Sequence, residues 1–322
     1  EDARDALAAA LGAHPSEVVF TSGGSEADTI AVLGSTAARR APALVAATEH
    51  PAVRGATASG AQLWPVDTDG RVRLDQMPAG EFSVVSVMGV NNETGVHQPV
   101  AEVAELARSR GAWAHSDAVQ QAGHEPFCFA SSGLDLASVS AHKIGGPVGI
   151  GALLVRREVG PAATGLGGGQ ERKLRSGTQP AMLAASFAAA MTEAVAQLDQ
   201  ARARYLAWRG RVLDVALGLP EVRSASAEAP SSPHIVNLTF AGLRADDLLV
   251  LLDAAGIDAS VGSACQAGVH QPSEVLLAMG RTAHEALASV RFSFGHTTTD
   301  ADIDRLLAVL PDAVARARAA YA

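Results

Sequence analysis

Seven short apolar runs punctuate the chain up to residue 155: Val18–Thr21, Ala43–Ala47, Gln62–Val66, Ser83–Val87, Ala112–Ser116, Leu136–Ser140 and Gly151–Val155. Several are apolar almost without interruption, as strands are when their sheet is covered on both faces. Between them, Ser25–Arg39, Pro51–Ser59 and Val100–Arg110 read as helices, and Pro99 sits where the start of a helix tolerates proline. Alternation of this kind predicts an α/β domain on a mostly parallel sheet, seven-stranded by this reading.

The pattern changes after Arg175-Ser-Gly-Thr178. A long Ala-rich helical stretch covers about residues 180 to 217. Beyond it, Ile235–Phe240, Ile257–Ser260 and Ser289–Phe294 read as strands, and Ala245–Ala255 and Asp300–Tyr321 as helices. These spacings suit a smaller α+β domain. With 322 residues, 48% of them hydrophobic, the chain has material for two cores. The expected division is a large domain at 1–199 and a small C-terminal domain at 200–322. The Ala-rich opening reads as the inside of a helix, so the chain is expected to be an ordered portion of a longer protein.

Net charge is −9, without any Lys/Arg block, which argues against a nucleic-acid partner. No apolar run reaches the roughly 18–20 residues of a membrane span, so no membrane role is expected. The only two cysteines, Cys128 and Cys265, make no disulfide framework and no CxxC pair. That usage fits a reducing cytoplasm and gives no basis for a permanent metal site. Cys128, in Pro126-Phe-Cys-Phe, reads as a small packed residue.

Of 25 basic residues only Lys143 and Lys173 are lysine. Arginine stays charged, whereas a lysine can lose its proton and act as a nucleophile. Lys143 follows a strand and precedes Gly145-Gly146, with Ser140 and His142 as flanking hydrogen-bonding groups. Ligands of open α/β sheets collect beyond the carboxyl ends of strands. A lysine so placed suits a Schiff-base lysine of a pyridoxal phosphate enzyme, or else a solvated turn.

Asp117, in His115-Ser-Asp117-Ala-Val-Gln120, also ends a strand. It suits the acid that keeps a pyridine nitrogen protonated, with Gln120 as donor to the ring's phenolic oxygen, or else a helix cap. Thr21-Ser-Gly-Gly24-Ser25 runs from strand to helix through glycines, a geometry that offers free N–H groups to phosphate. His50, in Thr48-Glu-His50-Pro, can stack on a flat ring, move protons, or cap a helix. Cys265 lies among Gly, Ser and His270, a setting for a reactive thiol as well as for an inert one. Arg291, in a half-buried strand pattern, wants a carboxylate, from a substrate or from a structural partner.

These segments occur in a fixed order with Val90-Asn-Asn92-Glu-Thr-Gly95 and Gly167-Gly-Gly-Gln-Glu-Arg172. Together they resemble the cysteine desulfurases of the NifS/IscS-like group, fold-type I pyridoxal phosphate enzymes of the class-V aminotransferase family. The Ser-Ala-Cys265 loop followed by Pro272-Ser273 is similar to the long-loop class. The resemblance implies that Lys143 holds the cofactor, Asp117 pairs with its pyridine nitrogen, Gln120 with its phenolic oxygen, and His50 stacks on its ring. It implies phosphate contacts from Gly24, Ser25, Ser140 and His142, and from Thr178 across a homodimer. Asn92 and Arg291 would orient L-cysteine, with Arg291 on the carboxylate and Asn92 also beside the cofactor. Cys265 would take the sulfur as a persulfide and hand it to an acceptor or scaffold protein for iron–sulfur, thio-cofactor or tRNA biosynthesis, with a transient iron–sulfur contact as its only metal role. The rival readings are an aminotransferase or selenocysteine lyase, which share Lys143, Asp117 and Arg291 but have no use for the thiol, and a catalytically silent scaffold of a sulfur-transfer complex.

Overall fold

The computed structural model describes residues 1–226, 229–262 and 271–321. The chain divides into two compact units: Glu1–Pro65 with Val72–Asn91 and Gln98–Leu198, and Val66–Arg71 with Asn92–His97 and Asp199–Ala322. The change of unit falls at Leu198/Asp199, and two short earlier segments also belong to the second unit. Asn92 is among them.

In the first unit, α1 (Asp2–Leu11) buries Leu7, Ala8 and Leu11 and ends on Gly12, whose φ of 61° is the left-handed conformation that stops a helix. β1 (Val18–Thr21) leads into α2 (Gly24–Thr29), which continues through a π-turn at Ile30–Gly34 into α3 (Ser35–Arg39). Then follow β2 (Leu44–Ala46), α4 (Pro51–Arg54), β3 (Gln62–Trp64), β4 (Val84–Ser86), α5 (Val100–Ser109), β5 (Trp113–Asp117), β6 (Leu136–Ser140), β7 (Gly151–Val155) and α6 (Ala181–Ala196). α1 packs on α6.

The seven strands form one sheet in the order β1-β7-β6-β5-β4-β2-β3. β3, β2, β4, β5 and β6 pair in parallel, while β7 runs antiparallel to both β6 and β1. A strand that opposes both neighbours leaves those neighbours parallel to each other. The carboxyl ends of β1, β6, β5, β4 and β2 therefore share one edge of the sheet.

Strand alternation sorts the side chains by face. One face carries Val19, Val45, Val84, Trp113, Leu136, Leu153 and Val155, packed against Ala27, Ile30 and Ala31 of the α2 run. Burying such a set is worth roughly 1.5–3 kcal/mol per large side chain, and it fixes α2 over the middle of the sheet.

In the second unit, β8 (Val222–Ser224), β9 (Ile235–Phe240) and β10 (Ser289–Ser293) form an antiparallel sheet in the order β10-β9-β8. Its core joins Val236, Leu238, Phe240, Val290 and Phe292 to α7 (Leu198–Leu217), α8 (Ala245–Ala254) and α11 (Asp300–Tyr321), through residues such as Trp208, Leu248 and Leu310. Short α9 (Glu274–Ala278) and α10 (Ala283–Leu287) start at side-chain caps from Ser273 and Thr282.

Three expectations change. The helical run at 180–217 breaks at Gln197 into α6 and α7. Ile257–Ser260 is no strand; only Ser260 pairs, exchanging hydrogen bonds of 3.0 and 2.7 Å with Arg291. Cys128 is exposed rather than packed, because its neighbour Phe129 takes the buried position.

Candidate active site

On the α2-covered face, four strands turn from apolar to polar toward their carboxyl ends. β1 reads Val19 then Thr21, β4 reads Val84 then Ser86, β5 reads Trp113, His115, Asp117, and β6 reads Leu136, Ser138, Ser140. The cross-strand register brings Ser86 opposite His115 and Asp117 opposite Ser138. The result is a buried polar seam beneath α2 that opens at the sheet edge.

His115 is the centre of that seam. Its Nδ1 lies 2.8 Å from Ser86 Oγ and its Nε2 3.0 Å from Ser138 Oγ. Complete burial lowers its pKa to about 3, so the ring is neutral. Asp117 stands two residues on, buried, with Oδ1 accepting from Val119 N at 2.9 Å. Burial raises the Asp117 carboxyl; the Val119 hydrogen bond and the charges of His50 and Lys143 pull it back. Lys143 and His50 therefore act on Asp117 electrostatically, as an acid–lysine–imidazole arrangement requires.

His50 serves two purposes. Its Nδ1 accepts from Ala52 N at 3.1 Å, which caps α4, so the cap reading holds. The same ring also belongs to a trio with Asp28 and Asp117 whose polar atoms all lie within 4.8 Å of one another. Asp117 likewise both holds the turn after β5 and faces this trio.

Lys143 sits in a short 3-10 turn, Ala141–Ile144, that ends on Gly145 at φ 80°. Its carbonyl accepts from His124 Nε2 at 2.9 Å, which pins the turn from below. Ser140, at the end of β6, is 2.8 Å through its Oγ from His142 Nδ1. Burial, then the charge of Lys143, lowers the His142 pKa.

The β1–α2 turn closes on this group. The N-cap Gly23 supplies no side-chain cap, so the first-turn N–H groups of the helix are open to a ligand. A Cβ added to Gly24 would stand 2.8 Å from Val119 Cγ2 and 3.7 Å from Ser140 Cβ. One added to Gly151 would stand 2.7 Å from the Gly23 carbonyl carbon. Glycine at both places lets three backbone turns converge. Ser25 is exposed at the same turn, and Gln120 lies three residues past Asp117.

This donor set fits pyridoxal phosphate. It offers a buried acid for a ring nitrogen, an imidazole next to that acid, a lysine amine, and a cradle of hydroxyl and backbone N–H groups for a phosphate. Thr178 is exposed, beyond a strained turn in which Glu171, Arg172 and Lys173 all have positive φ. Glu171 anchors that turn, accepting from Arg4 and from Phe20 N at 2.7 Å.

In the second unit, Arg291 Nη1 donates to the carbonyl of Asn92 at 2.8 Å, so the two residues expected to orient substrate are neighbours. Glu93 lies beside them, its pKa raised by burial. Cys265 and His270 lie outside the described residues.

Four buried groups escaped the reading of the sequence: Asp28, Glu49, His115 and His124. Asp28 is four residues after Gly24, one helical turn along, and His115 two residues before Asp117, on the same strand face. Both spacings were signals that could have been used.

The chain matches the class-V aminotransferase family over residues 1–306. It is 43% identical to an IscS-like cysteine desulfurase of Mycobacterium tuberculosis, over 99% of this chain and 86% of that one. It is 36% identical to the cysteine desulfurase IscS of Methanosarcina thermophila, over 98% of this chain and 81% of that one. A solved structure, the NifS-like protein from Rickettsia africae, superposes with a TM-score of 0.88 at 27% identity, covering 97% of this chain and 86% of that one. With a sheet edge chemically suited to pyridoxal phosphate and relatives that match almost the whole of this chain, the chain belongs to the class-V aminotransferase family, in its cysteine desulfurase branch.

Proposed function

We propose that the protein converts L-cysteine to L-alanine with pyridoxal phosphate and receives the sulfur on Cys265. The observation that carries this reading is Asp117, buried at a strand end and acted on by both His50 and Lys143. The cysteine desulfurase relatives supply the substrate.

When bound, pyridoxal phosphate supplies an electron sink for the charge left when a proton departs the substrate α-carbon. Asp117 would hold the proton on the ring nitrogen, His50 would stack on the ring, and Gln120 would donate to the phenolic oxygen. Lys143 would hold the cofactor through its amine, and as a free amine it would be the base for the substrate α-proton. Gly24, Ser25, Ser140 and His142 bind the phosphate, joined by Thr178 of the second subunit in a homodimer. Asn92 and Arg291 orient the amino acid, with the guanidinium on its carboxylate.

The thiolate of Cys265 attacks the substrate sulfur. A sulfur–sulfur bond forms, the carbon–sulfur bond breaks, and carbon keeps the electron pair and is protonated to give the methyl group of alanine. His50 is the candidate for moving protons in this step. An acceptor protein then collects the sulfur for iron–sulfur cluster or thio-cofactor and tRNA biosynthesis, in a cytoplasm that keeps both cysteines as thiols.

The test is an absorbance spectrum of the protein loaded with pyridoxal phosphate, before and after L-cysteine, with sulfide and alanine assayed together. Equal release of the two products is expected, with the visible band absent from Lys143→Ala and sulfide release absent from Cys265→Ala. Amino transfer to a keto acid without sulfide would replace this reading with an aminotransferase.

A further inference from the structure

Asp28 has no place in the reaction described above, yet it is fully buried at the centre of the site. It projects from the first turns of α2, the helix that presents Gly24 and Ser25. The charged and titratable groups facing it come from several elements: Asp117 and His115 of β5, Glu49 after β2, and His50 before α4. Ser138 of β6, whose hydroxyl is bonded to His115, is the one neighbour that acts to lower the Asp28 pKa.

Among the described residues, no lysine or arginine forms an ion pair with Asp28. The Nε2 of His115 is 3.7 Å from Asp28 Oδ1, but that ring is neutral and already engaged by Ser86 and Ser138. Oδ1 itself has no hydrogen-bond partner. Two carboxyls within 4.8 Å of each other, away from water, cannot both carry charge without a counter-ion for each. His50 and Lys143 both act on Asp117. The group that yields is therefore Asp28.

We propose that Asp28 is a positioning residue for Asp117: it carries the proton of a buried two-carboxyl pair, so that the pocket's negative charge stays on Asp117 beside His50 and Lys143. Burial and the neighbouring Asp117 charge both raise the Asp28 carboxyl well above its ordinary range, in the direction this assignment needs. A second anion at position 28 would compete with Asp117 for any proton brought into the site. A neutral acid of the same shape fills the space and keeps the Ser138–His115–Ser86 chain in place. The inference rests on the reading that Asp117 serves the cofactor.

Its test pairs two variants with two readouts. Titration of the cofactor-free protein with pyridoxal phosphate is expected to show affinity at least about tenfold weaker in Asp28→Ala, with Asp28→Asn rescued to within about threefold of wild type. Infrared difference spectra of the wild type against Asp28→Asn, recorded with and without pyridoxal phosphate, should contain the carbonyl stretch of a protonated carboxyl at neutral pH. Should Asp28→Asn fail to fold, Ser138→Ala is expected to displace that same band. An Asn variant as weak as the Ala variant, an Ala variant without effect, or a difference spectrum showing only a carboxylate would each overturn the assignment. A wild type that takes up no pyridoxal phosphate would instead overturn the proposed function, and the infrared band would still decide the state of Asp28.

Discussion

The hydroxyl of Ser273 donates to the carboxyl of Glu93 at 2.5 Å, joining positions 180 residues apart in the chain. Ser273 also accepts from Leu276 N at 3.2 Å as the cap of α9. The carbonyl of Glu93 accepts from Asn237 Nδ2 at 3.1 Å, and that of Asn92 from Arg291. The Asn92–Glu93 segment is thus held by β9, β10 and the start of α9 at once. Ser273→Ala removes a cap and leaves a buried carboxyl with one donor fewer. It is expected to lower stability by about 1–3 kcal/mol, read as the urea midpoint of unfolding at constant slope. An unchanged midpoint would mean that neither bond contributes.

Asp117→Asn keeps the size of the side chain but removes the carboxylate that, in the proposed function, would hold a proton on the pyridine nitrogen. Sulfide release from cysteine is expected to fall by about 100-fold or more, with the protein still folded by circular dichroism. Activity near the wild-type level would remove Asp117 from the chemistry.

The buried titratable groups bend the stability curve in opposite senses. His115, with a folded pKa of about 3, refuses a proton that the unfolded chain takes up near pH 6.5, so its contribution is lost as pH falls from that value toward 3. Asp28 and Glu49, raised mainly by burial and then by the Asp117 charge, keep protons that the unfolded chain releases above its ordinary carboxylate range. Their contribution is lost as pH rises from that range, at up to ~1.4 kcal/mol per pH unit for each group. Asp28→Asn is therefore expected to gain melting temperature over the wild type by a margin that grows from about pH 5 to about pH 8. A margin independent of pH would mean that Asp28 is ionised in the native protein.

Glu171 accepts from Arg4 at 2.6 and 3.0 Å and from Phe20 N at 2.7 Å, with its carboxyl almost wholly buried. Glu171→Ala strands Arg4 and the strand N–H together. Because Arg4 is partly exposed, the expected loss is roughly 2 kcal/mol rather than the larger penalty of a fully buried pair, measured by denaturant unfolding. Release of the turn that leads to Thr178 should also weaken pyridoxal phosphate binding, if Thr178 reaches the phosphate of the second subunit.

Much of the large sheet could be read directly. β1, β6 and β7 match their predicted bounds, since Val18–Thr21, Leu136–Ser140 and Gly151–Val155 are apolar or small throughout and bounded by turns. β5 extends one residue further than expected, to Asp117 itself, so the polar residue that seemed to follow the strand is part of it. The antiparallel setting of β7 was not foreseen, because apolar runs carry no direction. In the second unit, α9 and α10 are five residues each, too short for helical periodicity to show. The functional reading drew on residues at turns, where Lys143, His50 and Gly24 stand out by type. It missed Asp28, Glu49 and His115, whose role depends on sharing one face, a relation visible only once strand register is known.

The setting of β7 also governs how the protein must be made. Among the described residues, β1 pairs with β7 alone, with Thr21 opposite Gly151, roughly 130 residues later in the chain. At a ribosomal pace of about 5–20 residues per second, β1 leaves the tunnel on the order of ten seconds before that partner exists. Throughout that interval an apolar strand waits with its ladder unmade, so nascent chains halted before residue 151 are expected to depend on chaperones to remain dispersed.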